Sequence, residues 1–280
     1  MNVRTSHLTA GLQPLPHRWP LLETVTPLII TFDEVANIVR TLDKLTWAGR
    51  IVVVDSGSTD GTLDVLSRYP QIALFKRGFD SFANQCNFGL AQIRSEWVLS
   101  LDADYELSDR LIQEFLNLRE TEGVGGYRTS FVYRIQGQPL RATLYPPRVV
   151  LYRAKDARYT DEGHGHRVTV SGQVRELSGV IYHDDRKPLS RWLSSQQRYA
   201  RVEADYLFKA DTSVLSAWDR LRRIAWPAPI IVFFYVLVVK RCLFDGWSGW
   251  FYTMQRVTAE CMIALELIDR RICSGSHQNK

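Results

Sequence analysis

Along the first third of the chain, short unbroken apolar runs alternate with segments of helical period. Residues 25–30 form one such run, and Val35, Ile38, Val39, Leu42 and Leu45 then recur at helical spacing. Residues 50–55 are β-branched, lack alternation and end in an acid, as a strand buried on both faces of a parallel sheet would. A third strand is expected at 72–75. A helix over 82–93 would keep Phe82, Cys86, Leu90 and Ile93 on one face, and a fourth strand is expected at 97–101. Ser108 can cap a helix carrying Leu111, Ile112, Phe115 and Leu116. Four strand–helix units in succession predict a doubly wound, mostly parallel α/β domain.

The texture changes after residue 118. Short β-like runs at 130–135, 149–152, 168–170 and 180–182 are broken by Gly and Pro, which predicts a β-rich extension over 119–187. From 188 to 280 helices return, with Leu189, Trp192, Leu193, Tyr199, Val202 and Tyr206 on one amphipathic face. Residues 224–239 are the apolar peak, uncharged and flanked by Arg222-Arg223 and Lys240-Arg241. That is just short of the roughly 20 residues a spanning helix needs. Trp226, Trp247, Trp250, Phe251 and Tyr252 surround it as interfacial aromatics would. Membrane association is therefore expected around 224–268, and a buried helix pair or an oligomer interface is the alternative. Residues 1–22, interrupted by His17, Arg18 and prolines, read as a poorly ordered lead-in rather than a signal peptide. The resulting expectation is a chain on the cytoplasmic face of the inner membrane.

Charge sharpens this division. The 280 residues carry a net +5, but residues 186–280 hold 15 basic and 8 acidic side chains, so the excess lies beside the apolar peak. That placement favours a lipid surface over nucleic acid, which calls for a basic patch on the folded core. The four cysteines, at 86, 242, 261 and 273, have neither zinc-like spacing nor a disulfide framework, and are expected as free thiols.

Candidate chemistry falls where a doubly wound sheet places ligands, at the carboxyl ends of its strands. Asp55 opens the turn Ser56-Gly57-Ser58-Thr59-Asp60-Gly61, suited to a nucleobase or ribose, or simply to a tight capped turn. Asp102-Ala103-Asp104 follows the fourth strand and can offer two carboxylates to one divalent cation and its diphosphate. Lys76 and Arg77 follow the third strand and can face phosphate, or solvent. No GxGxxG follows the first strand, which disfavours a Rossmann dehydrogenase; there is no P-loop signature, and without GxSxG the serine-hydrolase reading fails.

Four segments in this order carry a resemblance: Thr31-Phe32-Asp33-Glu34 with Asn37; Val-Val-Val-Asp-Ser-Gly-Ser-Thr-Asp-Gly-Thr from Val52; Phe82-x-x-Gln85-x-Asn87-Phe88-Gly89-Leu90; and Trp-Val-Leu-Ser-Leu-Asp-Ala-Asp from Trp97. Together they resemble the family 2 glycosyltransferases of GT-A fold, and most of all the branch with lipopolysaccharide-core glucosyltransferases. The likeness is strong over about residues 24–115 and weaker to about 250. It implies a nucleotide-sugar donor, UDP-linked by expectation, a divalent cation (Mg2+ or Mn2+) and inversion at the anomeric carbon. It also implies that Asp33 or Glu34, with Asp55, contacts the nucleoside, and that Asp102 and Asp104 hold the metal and diphosphate. With the turn and the cations, the expected donor-binding set is Thr31, Asp33, Glu34, Asp55, Ser58, Lys76, Arg77, Asn87 and Asp102.

The sequence departs from the family pattern where Asp33 stands for a frequent Asn. It departs again where residues 160–166 (Thr-Asp-Glu-Gly-His-Gly-His) replace a His-Glu pair on the acceptor side. Asp161 and Glu162 are the candidate general bases. His164, His166 and His183 are candidates for metal or phosphate contact, His183 foremost because it begins the polar cluster His183-Asp184-Asp185-Arg186-Lys187. The acceptor is expected to be a glycan or glycolipid of the cell envelope. A nucleotidyltransferase and a catalytically degenerate membrane-docked scaffold are the competing readings.

Overall fold

A computed structural model of the chain describes residues 24–119, 121–141, 144–162 and 165–278, so the expected lead-in at 1–22 lies outside it. The strand–helix units form as β1 (Val25–Thr31), α1 (Ile38–Asp43), β2 (Ile51–Asp55), α2 (Thr62–Leu66), β3 (Ile72–Lys76), α3 (Phe82–Leu90) and β4 (Trp97–Asp102). They continue into β5 (Tyr105–Leu107), α4 (Asp109–Asn117), β6 (Val124–Ile135), β7 (Gln138–Pro139), β8 (Arg148–Arg153), β9 (Arg158–Glu162), β10 (Gly165–Thr169) and β11 (Gln173–His183). The main sheet runs β3-β2-β1-β4-β8-β6-β11-β5, with β7 beside β6, while β9 and β10 form a separate antiparallel hairpin. β3, β2, β1 and β4 are mutually parallel, and β8 and β5 enter antiparallel, so the β-rich extension continues the same sheet.

Every residue of β2 is buried, as its unbroken apolar run requires. Val53 packs with Ile29, Ile38, Leu42 and Phe115 on one face, while Val52 and Val54 pack with Leu28, Cys86, Val98 and Tyr152 on the other. Helix α1 is shorter than the 35–45 periodicity predicts. The chain first turns through residues 34–37, where Glu34 C=O accepts from the Asn37 and Ile38 N–H groups, and Asp33 adopts φ 53°.

The C-terminal part comprises α5 (Leu189–Lys209), α6 (Ala217–Ile224), α7 (Pro227–Phe234) and α8 (Gly246–Gln278). Ala200, Ala204 and Leu207 of α5 pack against Ile263, Ala264 and Leu267 of α8, the small residues letting the helices lie close. The apolar peak does not form one helix. Ala225, at φ 81°, separates α6 from α7; Pro227 starts α7 at its first position; and a π turn at Tyr235–Val239 ends it. Among the described residues no single helix is long and apolar enough to cross a membrane, and the two arms on either side of residues 240–241 are bent by 69°. The second arm is the 33-residue α8, which carries residues 246–278. Cys86 and Cys242 are buried free thiols, and Cys261 and Cys273 are also unbridged.

Candidate active site

Parallel register places Thr31 beside Asp55, Asp55 beside Lys76, and Ile30 beside Asp102, so the strand ends share one edge. The Asp55 carboxylate is fully buried and spends both oxygens on its own turn. Oδ1 accepts from the Gly57 and Ser58 N–H groups at 2.9 and 3.0 Å, and Oδ2 accepts from the Ser58 hydroxyl at 2.5 Å. Ser58 Oγ in turn accepts from the Asp33 N–H at 2.7 Å, which ties the β2 turn to the β1 turn. Asp33 Oδ1 accepts from the Thr59 N–H at 2.7 Å, and Oδ2 from Arg191 at 3.0 Å. Asp33, Asp55 and Ser58, expected as direct donor contacts, thus brace the wall of this edge. Thr31 Oγ1 is buried at the same place with no hydrogen-bond partner.

β11 runs antiparallel to β5 with His183 opposite Tyr105, which carries the imidazole back to the residue after β4. His183 Nε2 and Asp104 Oδ2 lie 2.9 Å apart, with both side chains nearly buried. Burial opposes charge on each, but the ion pair outweighs it: Asp104 is held below the ordinary carboxylate value and His183 above the ordinary imidazole value. His183 Nδ1 is buried without a partner. Glu34 stands nearby, where burial and repulsion from Asp104 push its carboxyl up to about 7 against the pull of Lys187. Lys187 Nζ donates to Glu34 Oε1, and Asn37 Nδ2 donates to Oε2 at 2.8 Å.

Asp102 lines a cleft of about 320 Å³ together with Tyr145, Arg148, His166, His183 and Tyr199. The lid of this cleft comes from the C-terminal helices through Arg222, Arg256 and Glu260. A second cavity of about 480 Å³ shares Asp102, Arg148 and His166 with it and runs under β8 and β10. The Arg148 guanidinium lies 4.3 Å from the centre of the Tyr145 ring. His166 stacks on Phe82 with ring centres 5.6 Å apart, and burial holds its imidazole below the ordinary value while Asp102 pulls the other way. Arg148 and the lid residues were not identified from sequence, because each enters the cleft from an element far along the chain.

Other expected residues sit elsewhere. Asn87 turns its amide to β9, with Nδ2 donating to Tyr159 C=O and Oδ1 accepting from Tyr159 N–H, both at 2.9 Å, so it clamps α3 to the hairpin. Arg77 is neutralised by a two-pronged ion pair with Asp80, at 2.7 Å for each prong, while Lys76 is exposed at the strand end. Asp161, a candidate base, is exposed; its Oδ1 accepts from the Ala83 N–H at 3.1 Å and so caps α3. The side chain of Glu162 and all of His164 lie outside the described residues.

The profile of the family described as Glycosyl transferase family 2 matches residues 27–172, half of the chain. The chain belongs to that family. It is a glycosyltransferase with a nucleotide-sugar donor, which sets aside the nucleotidyltransferase reading. The glycosyltransferase is 30% identical over 198 residues to the lipopolysaccharide core biosynthesis glycosyltransferase LpsC of Rhizobium meliloti, covering 65% of this chain and 70% of that one. It is 21% identical to an uncharacterized glycosyltransferase of Rickettsia felis, over 83% of this chain and 85% of the relative. Among solved structures, the mannosyltransferase PcManGT from Pyrobaculum calidifontis, in complex with GDP-Man and Mn2+, aligns over 89% of this chain and 86% of its own. The TM-score is 0.48 and the identity 17%. The family match spans β1 to β10, so it includes Asp102, Asp104 and His166 and stops short of His183.

Proposed function

We propose that this glycosyltransferase moves a sugar from a UDP-linked donor to a glycan or glycolipid acceptor in cell-envelope synthesis, with a divalent cation, Mg2+ or Mn2+, and inversion at the anomeric carbon. The observation that carries the reading is the Asp104–His183 contact beside Asp102 at the mouth of the cleft. The envelope assignment draws its support from the likeness to LpsC.

The donor set fits the cation. Carboxylates such as Asp102 and Asp104 suit Mg2+ or Mn2+, and His183 Nδ1, buried without a partner, leaves a polar atom at the same place. Among the described residues no three His, Cys, Asp or Glu side chains converge on one point. Such cations are commonly held by one or two carboxylates plus substrate phosphates, so Asp102 and Asp104 would hold it together with the donor diphosphate, with His183 orienting Asp104. When bound, the cation offsets the negative charge that builds on the departing nucleoside diphosphate.

The protein's own groups do the rest. Arg148 adds fixed positive charge in the same cleft. As the acceptor oxygen bonds to the anomeric carbon, the bond from that carbon to the diphosphate oxygen breaks, and the hydroxyl proton must go to a nearby base. His166 takes that role in place of Asp161: burial favours its neutral form, and it lines both cavities. A donor screen tests the reading. Release of UDP that requires added metal supports it; pyrophosphate release from a nucleoside triphosphate, or silence across the panel, overturns it.

A further inference from the structure

The elbow joining α7 to α8 exposes apolar side chains on both arms. On the first arm Trp226, Ile230, Phe234 and Val238 recur every fourth residue, and all are more than half exposed. Their opposite face, with Ala228, Val232 and Val236, is buried. A helix on a soluble surface would be polar on its outer side, but this one is apolar on both. The bend adds Phe244 at 66% exposure, and α8 opens with Trp247 at 89%, followed by Trp250, Phe251 and Met254 along the same side. Large contiguous apolar surfaces of this kind mark interaction sites.

Charge and geometry choose the partner. Between residues 224 and 254 the charged side chains are Lys240, Arg241 and Asp245. Asp245 is nearly buried and paired with Arg141, so the exposed charge at the tip of the elbow is positive. Exposed rings and aliphatic side chains on both arms, with Lys240 and Arg241 at the tip between them, match an anionic phospholipid surface.

The first arm alone is too short to cross such a bilayer. Residues 227–239 would reach about 20 Å as a helix, against a hydrocarbon core of about 30 Å. Their inner faces are also committed to protein: Val232, Val236, Cys242 and Tyr252 pack with Leu140, Tyr133 and Ile135 from the β6–β7 region.

We propose that this elbow is an interfacial anchor, seating the enzyme on an anionic phospholipid surface with the outer face of both arms in one leaflet. Ala259 and Glu260, which line the catalytic cleft, follow Trp250 on α8 by about 15 Å of helix. Resting on the glycosyltransferase reading, the anchor places the cleft within reach of an acceptor whose own tail lies in the bilayer.

Flotation of the full-length protein with vesicles tests this. Phosphatidylcholine vesicles containing phosphatidylglycerol should carry the protein upward, and pure phosphatidylcholine vesicles should do so more weakly. The double variant Phe244→Ser with Trp247→Ser should lose at least roughly tenfold in vesicle affinity. Lys240→Gln with Arg241→Gln should lose roughly tenfold or more on anionic vesicles alone. All these side chains lie outside the cleft, so UDP release from a soluble donor should stay unchanged in both variants. That assay separates failure of the anchor from failure of the catalytic reading. Three results overturn the proposal: no flotation with either vesicle; a dimer abolished by Phe244→Ser/Trp247→Ser in a protein that does not float; and bound protein that resists alkaline carbonate extraction, which would indicate a span.

Discussion

The strand-end edge and the helical elbow depart from ordinary protein surfaces in opposite ways. At the edge, carboxylates are buried: Asp55 is wholly inaccessible, and Asp104 and Glu34 sit close enough that burial and mutual repulsion push Glu34 up to about 7. At the elbow, aromatic rings are exposed, Trp247 almost completely. Each arrangement costs free energy in the isolated chain. At the edge that cost is met from within, by Ser58, Arg191, Lys187 and His183, which leaves a braced polar wall. At the elbow no side chain among the described residues covers these rings, and the proposed anchor would offset the cost with a lipid surface. The lesson is that a site for a small polar ligand is built by satisfying its polar groups in advance, while a docking face is left unsatisfied.

The largest effect that sharpens this contrast is at His183. Replacing it by Ala removes the partner of Asp104 and should weaken metal-dependent turnover by roughly 10–100-fold, read as a higher Mn2+ concentration at half-maximal rate. Glu34 comes next. Its folded-state value lies above the ordinary one, so the folded protein keeps a proton that the unfolded chain releases. The stability it lends is fully present below about pH 4.5 and erodes as pH rises through about 7. Glu34→Gln should remove up to about 3 kcal/mol of that decline. Urea titrations of the metal-free protein at pH 5 and pH 8 would show it as a smaller pH difference in the variant. A decline of equal size in both would contradict the assignment.

Asn87→Ala should cost about 1–3 kcal/mol of stability, because both backbone groups of Tyr159 lose their partner, yet leave the KM for donor within a factor of about 3. A large KM change with unaltered stability would return Asn87 to the donor site. The smallest effect is at Asp161. Its loss should lower stability by about 1 kcal/mol as a lost helix cap and leave the pH profile of kcat in place. Loss of the acidic limb of that profile, which a general base sets because it must be deprotonated to act, would restore Asp161 as the base and displace His166.

How far the sequence reached follows the range of each interaction. The strands, the buried β2 and the Asp102-Ala103-Asp104 turn were legible because each is a local pattern. The wall around them was not. Arg191 reaches Asp33 across 158 positions, Lys187 reaches Glu34 across 153, and His183 meets Asp104 across 79. His183 was singled out from its polar surroundings, but its partner was set by the antiparallel pairing of β11 with β5. Asn87 and Asp161 show the same range effect: their hydrogen bonds fasten α3 to the β9–β10 hairpin, a contact that no local pattern announces. The apolar peak was visible as composition, but its division into two arms depended on Ala225, on the π turn and on the reversal at Arg241, where φ is 60°.

The central claim is that Asp104 and His183, beside Asp102, form the place where cation and donor diphosphate meet. Calorimetric titration of UDP into the full-length protein, with and without Mn2+, tests it most directly. The account predicts that Mn2+ tightens UDP binding at least about tenfold, a coupling of about 1.4 kcal/mol, and that Asp104→Ala abolishes the difference while the fold is retained. UDP affinity that is indifferent to Mn2+, or coupling that survives in Asp104→Ala, would contradict it.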